Sequence, residues 1–322
     1  MVIVTGATGL VGSVIIDHFA SRNIPVTGLY RKKHSEDNTH VKWAEADVTD
    51  IESLTKSFAG ASAVVHAAAV VSFSQRSKEK MFHVNVEGTA NVVNACLQSG
   101  VKRLIHVSSV AALGKIPNQN VIDENATWTV SDKTTNYGLS KYLAELEVFR
   151  GEAEGISVAM VNPSIILATE KNQRSSSKLF QYIFDEQPFY TDGQLNYVDA
   201  RDVAEMILRL YENTSLKGRY IANAGRVAWK IFFDKIANRF NKKPPSIKVP
   251  HALAQLAASA EWLRSLLTGQ EPIITKETAR VARQQIFFSN KKACKELALP
   301  FRELDETLDW CCQAFLANRG KV

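Results

Sequence analysis

Cysteine is scarce in this 322-residue sequence. Its four positions, Cys96, Cys294, Cys311 and Cys312, show no metal-ligand spacing, which excludes a disulfide-stapled miniprotein and points to reduced, mostly buried thiols. No long Pro, Ser or Gln tract occurs, so extensive disorder is not expected. A dense basic block is also missing: 39 Lys and Arg stand against 33 Asp and Glu, the excess is scattered, and no aromatic-basic motif accompanies it. Nucleic-acid recognition is therefore not expected. The most apolar late segment, His251 to Leu267, is broken by Gln255, Glu261 and Arg264, which excludes an ordinary membrane span and reads as an amphipathic helix. Between Met1 and the first apolar run, Val2-Ile3-Val4, there is no room for a signal or transit peptide, so a cytoplasmic location is expected.

What is present suits a large folded unit or two lobes, since 45% apolar and 22% charged residues match ordinary globular usage. In the first half, short β-branched runs alternate with helical patterns. Val2 to Thr5, Val26 to Tyr30, Val41 to Ala44, Ala63 to His66, Arg103 to Val107 and Ser157 to Val161 read as strands. Helices are expected near Leu10 to Arg22, Ile51 to Ala59, Glu79 to Ser99 and Tyr137 to Glu154. This rhythm predicts an α/β fold with a parallel sheet covered on both faces. After Pro163 helices are expected to dominate, with one more strand near Arg219 to Ala222.

The segment VTGATGLVG runs a strand through Gly6, Gly9 and Gly12 directly into a helix. Gly6 permits a tight turn, Gly9 lets backbone approach a pyrophosphate, Gly12 lets the helix pack on the strand, and the helix N-terminus offers amide donors to phosphate. The spacing is one residue longer at its start than the general dinucleotide pattern. At the end of the second strand, where NAD binders place an acid, stand Arg31, Lys32 and Lys33. A cation there pairs with the 2′-phosphate of NADP, and one charge-assisted hydrogen bond of about 1.5–3 kcal/mol gives on the order of tenfold to hundredfold preference for NADP(H) over NAD.

In TNYGLSKYLAE, Tyr137 and Lys141 stand four residues apart and share one helix face. An ammonium about 4 Å from a phenol, at an effective dielectric of about 20, contributes roughly 4 kcal/mol, or about three units of lowered pKa, against which desolvation works. Upstream, LIHVSSVAALG places Ser108 and Ser109 at a strand end, where a hydroxyl can orient a substrate oxygen while the tyrosine exchanges its proton. No Gly-x-Ser-x-Gly elbow surrounds these serines, which argues against a serine hydrolase. His106 lies within the strand and reads as packing.

With these motifs in this order, the chain resembles the extended short-chain dehydrogenase/reductase family over nearly its whole length. The resemblance implies a Rossmann-type doubly wound parallel sheet with a smaller, mainly helical C-terminal substrate lobe. The nucleotide-binding part would cover 1–163, with 198–222 returning to it, and the lobe would cover 164–197 and 223–322. It further implies that Thr8 and Leu10 join Gly6, Gly9 and Gly12 at the cofactor, that Asp47 and Val48 of EADVTD bind adenine, and that Ala67, Ala68 and Ala69 line the cofactor. Pro163 of NPS would stand on the nicotinamide side. Tyr137 would be the general acid-base, Lys141 would lower its pKa and hold the ribose, and Ser109 would position the reacting oxygen. Asn85 is structural or part of a proton relay by the same resemblance.

Ser109 is followed by Val110-Ala111-Ala112, without the Asp-Glu pair that the resemblance associates with dehydratases. GQLNYVDARDVA lacks the arginine that nucleotide-sugar epimerases of the family carry just before YVD, and an uncompensated diphosphate is costly to bind. That segment, the 251–267 helix and the following Glu271-Pro272 and Thr275 are closer to dihydroflavonol reductase-like and 3β-hydroxysteroid dehydrogenase-like members, with Val70, Val71 and Phe73 as candidate lining of an apolar pocket. The leading expectation is an NADPH-dependent reductase of a small apolar carbonyl compound, without a metal. A nucleotide-sugar epimerase that retains NAD is the alternative, and a non-catalytic NADP-sensing protein is the third reading. The long helices near 79–99 and 137–154 resemble family dimer interfaces, so a homodimer is expected.

Overall fold

The computed structural model describes residues 1–31, 41–114, 120–128, 134–169, 176–250 and 286–319. From the N-terminus, β1 (Val2–Thr5) passes through α1 (Leu10–Ser21) to β2 (Val26–Tyr30), and β3 (Val41–Glu45) through α2 (Ile51–Phe58) to β4 (Ala63–His66). Next come α3 (Lys78–Phe82), a π turn (His83–Glu87), α4 (Gly88–Gln98), β5 (Arg103–Val107), β6 (Val121–Ile122), α5 (Asn136–Ala153) and β7 (Ser157–Pro163). The chain continues with β8 (Ile165–Leu167), α6 (Ser177–Phe184), β9 (Phe189–Tyr190), β10 (Gln194–Asp199), α7 (Ala200–Glu212) and β11 (Gly218–Ala222). It closes with β12 (Gly225–Ala228), α8 (Trp229–Phe240), β13 (Ile247–Lys248), β14 (Phe287–Phe288), α9 (Lys291–Glu296) and α10 (Leu304–Arg319).

Seven strands form one parallel sheet in the order β11-β7-β5-β4-β1-β2-β3. Val2, Ile3 and Val4 are fully buried, as expected of parallel strands covered on both faces, where each such side chain stabilises by about 1.5–3 kcal/mol. One face packs against α1 and α7 through Ile15, Ile16, Phe19, Val203, Ile207 and Leu210. The other packs against α2, α4 and α5 through Leu54, Phe58, Val92, Cys96 and Val148. The chain proceeds from β1 toward β3 in one direction and from β4 toward β11 in the other. The order therefore reverses between β1 and β4, and the crevice at their C-terminal ends is where such sheets take ligands. This is a Rossmann-type α/β fold.

A separate cluster of Leu167, Phe180, Leu195, Tyr197, Phe232, Ile236, Leu308 and Phe315 joins α6, α8 and α10 to the small sheet β12-β10-β8. Beyond Pro163 the structure holds more strand than the sequence led us to expect. β8, β9, β12, β13 and β14 span two to four residues each, too short for alternation to register; β10 alternates half-buried and buried residues over Gln194–Tyr197. The single helix expected over 79–99 is interrupted by the π turn at His83–Glu87, which adds a residue to one turn without breaking the helical run between Lys78–Phe82 and Gly88–Gln98. The expected 251–267 helix, Glu271-Pro272, Thr275, Lys32 and Lys33 lie outside the described residues. The four thiols are free, three of them buried, and burial pushes Cys312 up to about 12. Among the described residues no helix is long and apolar enough to cross a membrane.

The glycine turn sets how closely α1 approaches β1. Gly6 has φ +66°, and a side chain there would meet the Ala68 backbone at 2.6 Å; a side chain on Gly12 would sit 2.0 Å from the Gly6 carbonyl oxygen. Gly12→Ala should therefore cost about 1–3 kcal/mol of stability through overpacking against backbone that cannot yield. Urea denaturation measures this, and an unchanged midpoint would contradict the close-approach role.

Candidate active site

Gly6, Thr8 and Gly9 line a cleft of about 160 Å³ at the C-terminal ends of β1 and β4. Ala67, Ala68 and Ala69 form its β4 side, and Arg31 and Val48 its far end. Sequence reasoning missed Thr5, Leu29, Tyr30, Ala46 and Val84, which line the same cleft. Leu10 opens α1, whose N-cap Gly9 makes no side-chain cap bond and whose first turn carries no acid, so its amide donors are left for an anion. Asp47 is occupied locally: its Oδ1 accepts from the Thr49 amide and hydroxyl at 2.9 Å each. Its Oδ2 lies 4.0 Å from Arg31, with both side chains exposed, a pair worth little in solvent. The cleft thus fits a dinucleotide, with a glycine cradle and uncapped helix for its phosphates and apolar walls for its rings.

Thr5 also begins a buried polar chain. Its Oγ1 lies 2.7 Å from His66 Nδ1, and His66 Nε2 lies 2.9 Å from Thr89 Oγ1, which donates its hydrogen to Asn85 O at 2.6 Å. Because Thr89 has already given its proton, His66 donates through Nε2 and accepts through Nδ1. The His106 ring stands 5.1 Å from that of His66. Burial first, and the Lys141 charge second, lower His66 to about 3 and push His106 well below its ordinary value. Both rings are neutral near pH 7.

The other half of the site stands on α5. Thr135 caps the helix by accepting from the Gly138 amide at 2.9 Å, which starts it one residue before Tyr137. Lys141 is buried, donating to Val107 O at 2.8 Å and contacting His106 Nε2 at 3.3 Å. Desolvation lowers its pKa to about 8, opposed by the charge of Glu145. Tyr137 hydrogen-bonds Ser109 and packs edge-on against Phe73, ring centroids 5.9 Å apart. Ser109 itself caps the turn Val110–Ala112, accepting from the Ala111 amide at 3.1 Å. Pro163 ends β7, paired in register with Ala222 of β11.

One expectation is reversed here. The Tyr137 pKa is raised, because burial of the phenol outweighs the Ser109 hydrogen bond that lowers it. Among the described residues the hydrogen bonds of the Lys141 ammonium go to β5, so desolvation decides the direction. Of the proposed pocket residues, Val70 lines the cleft while Val71 is 55% exposed. Asn85 holds the Val70 backbone at both ends, accepting from its amide at 2.7 Å and donating to its carbonyl at 2.9 Å, and reaches Ser140 of α5 at 3.0 Å. It splices the cleft wall to the helix that carries Tyr137.

The neutral buried histidines set a pH dependence of stability. Their folded pKa values lie below the unfolded value of about 6.5, so unfolding takes up protons below that pH and stability falls from about pH 6.5 toward pH 3. The slope should reach about 1.4 kcal/mol per pH unit for each ring. Urea unfolding between pH 6.5 and 5 measures it, with ring NMR of His66 and His106; titration of either ring near 6.5 in the folded chain would contradict this.

Comparison with known proteins bears on the family and the fold. Residues 2–225 match the model of the NAD dependent epimerase/dehydratase family. The chain is 27% identical to a dihydroflavonol 4-reductase-like protein of Synechocystis sp., covering 95% of this chain and 91% of that protein. It is 32% identical to cinnamoyl-CoA reductase 1 of Oryza sativa subsp. japonica, covering 69% of this chain and 70% of the relative. Among solved structures, that of gox2253 aligns with a TM-score of 0.82 and 29% identity over 100% of this chain and 99% of that one.

Proposed function

Because the chain belongs to the NAD dependent epimerase/dehydratase family, we propose that it is an NADPH-dependent carbonyl reductase, or in reverse an alcohol dehydrogenase, acting on a small apolar substrate. The observation that carries this reading is the Tyr137 phenol hydrogen-bonded to Ser109 at the end of β5, on the helix face that buries Lys141. The reductase names of the relatives support it. So does β10, where Gly193-Gln194-Leu195-Asn196 precedes Tyr197 without an arginine, and where the later Arg201 is committed to Asp199 at 2.7 Å. A nucleotide-sugar diphosphate would find no cation on that strand.

When bound, the dihydronicotinamide supplies the hydride. Gly6, Gly9 and the N-terminus of α1 would hold its phosphates, and the weakly paired Arg31 would take the 2′-phosphate. Ser109 orients the substrate oxygen. Tyr137 gives that oxygen its proton as the carbonyl carbon becomes C–H, so one C=O π bond is replaced by a C–H and an O–H bond. A phenol held protonated by burial is suited to this donor role. Lys141, charged below about pH 8, stabilises the phenolate that results.

Tyr137→Phe should lower kcat by about 10² to 10⁴ while NADPH affinity is unchanged. NADPH oxidation against a panel of apolar ketones and aldehydes measures it, and parental turnover by the variant would refute the role of Tyr137. Arg31→Ala should reduce the NADPH-over-NADH preference in kcat/KM by about tenfold to hundredfold. Equal use of both cofactors by the parent, unchanged in the variant, would remove Arg31 from the account.

A further inference from the structure

Glu145 recurs on the α5 face of Tyr137 and Lys141, at the next four-residue step, and its side chain is fully buried. Its Oε1 accepts from Ser108 Oγ at 2.5 Å and Asn162 Nδ2 at 2.6 Å; its Oε2 accepts from Arg219 Nε at 2.8 Å and lies 2.7 Å from Arg219 Nη2. One carboxylate thus joins α5 to β7, β11 and the end of β5. The Asn162 amide also donates to the Ser109 carbonyl at 3.1 Å. Both of its partners are acceptors, so its NH₂ end must face them, which leaves Asn162 Oδ1 buried without a donor. The chain gives up a hydrogen bond to keep that amide between Glu145 and Ser109. The Ser108 hydroxyl, drawn inward to Glu145, is withdrawn from substrate, so Ser109 alone of the pair faces Tyr137.

We propose that Glu145 is a positioning residue of this site: through Asn162 it holds Ser109 in register with Tyr137, and it places a carboxylate one helical turn from Lys141. Lys141 shares its helix face with Tyr137 and Glu145 and meets His106 of β5, and its charge also acts on His66 of β4; the neutral Thr89 bonds His66, the neutral Asn85 bonds Ser140 beside Lys141, and Arg219 of β11 pairs with Glu145. With both histidines neutral, Glu145 is the negative charge among these groups, and it is the group that raises the Lys141 pKa against desolvation. The kinetic part rests on the reductase reading; the electrostatic part does not.

The test titrates Lys141 by NMR of the full chain carrying ¹³C-labelled lysine, and pairs it with kinetics. In Glu145→Gln, which keeps the shape, Lys141 should titrate lower by about one pH unit or more, and the alkaline limb of kcat should move with it. Asn162→Ala leaves both charges in place; it should lower kcat about tenfold to hundredfold through misplacement of Ser109, with NADPH affinity and the Lys141 titration unchanged. An unmoved Lys141 titration in folded Glu145→Gln overturns the electrostatic role, and parental kcat in Asn162→Ala overturns the positional one. Should Glu145→Gln not fold, Ser108→Ala and Asn162→Ala still decide the positional role by kcat. Absence of carbonyl reduction by the parent chain would sink the reductase reading, while the NMR titration would still decide the role of Glu145.

Discussion

A lysine ammonium buried at the end of a core strand is the constraint on which the site depends. An unpaired buried charge costs far more than a domain can spare, so Lys141 can be charged there only if the groups around it are placed to receive it. The Val107 carbonyl and the His106 ring accept it, and Glu145 one turn along the helix offsets its charge. These partners press α5 against the ends of β5 and β7. Once the helix is seated, Tyr137 hydrogen-bonds Ser109, and desolvation of the half-buried phenol raises its pKa. Proton donation and burial are consequences of the same packing.

The cleft and the tyrosine are joined through matter that is continuous and polar. Thr5 lines the cleft and bonds His66; His66 packs against His106; His106 meets Lys141. On the opposite wall Asn85 clamps the Val70 backbone and reaches Ser140 of α5. The π turn that carries Asn85 aims its amide at that backbone, a use in keeping with the occurrence of such turns at functional segments. Together with the close approach of α1 at Gly12, these links fix the cleft wall and the reactive helix to one sheet edge.

Much of this was legible in the sequence because it is local. Strands such as Val2–Thr5 and Ala63–His66 announce themselves by β-branched runs, the glycine spacing marks the turn that lines the cleft, and Tyr137 and Lys141 share a face by helical period alone. What escaped notice depends on distant partners. Glu145 reads as one more charge on a helix until Ser108, Asn162 and Arg219 converge on it, although its four-residue offset from Lys141 was a usable signal. The direction of the Tyr137 shift was misjudged because helix spacing gives the shared face of Tyr137 and Lys141 but neither where the ammonium points nor how far the phenol is desolvated. Strands of two to four residues in the second half, among them β9 and β13, are set by pairing with one another and carry too few residues for a pattern.

The central claim, net hydride delivery to a substrate carbon with a proton from Tyr137, is tested most directly by following the label from NADPH deuterated at C4. Mass spectrometry of the product should find one deuterium on the carbon of the new alcohol, with NADP formed in equal amount. Turnover of a nucleotide sugar on tightly retained NAD, with no label transferred and no net oxidation of NADPH, would contradict the account.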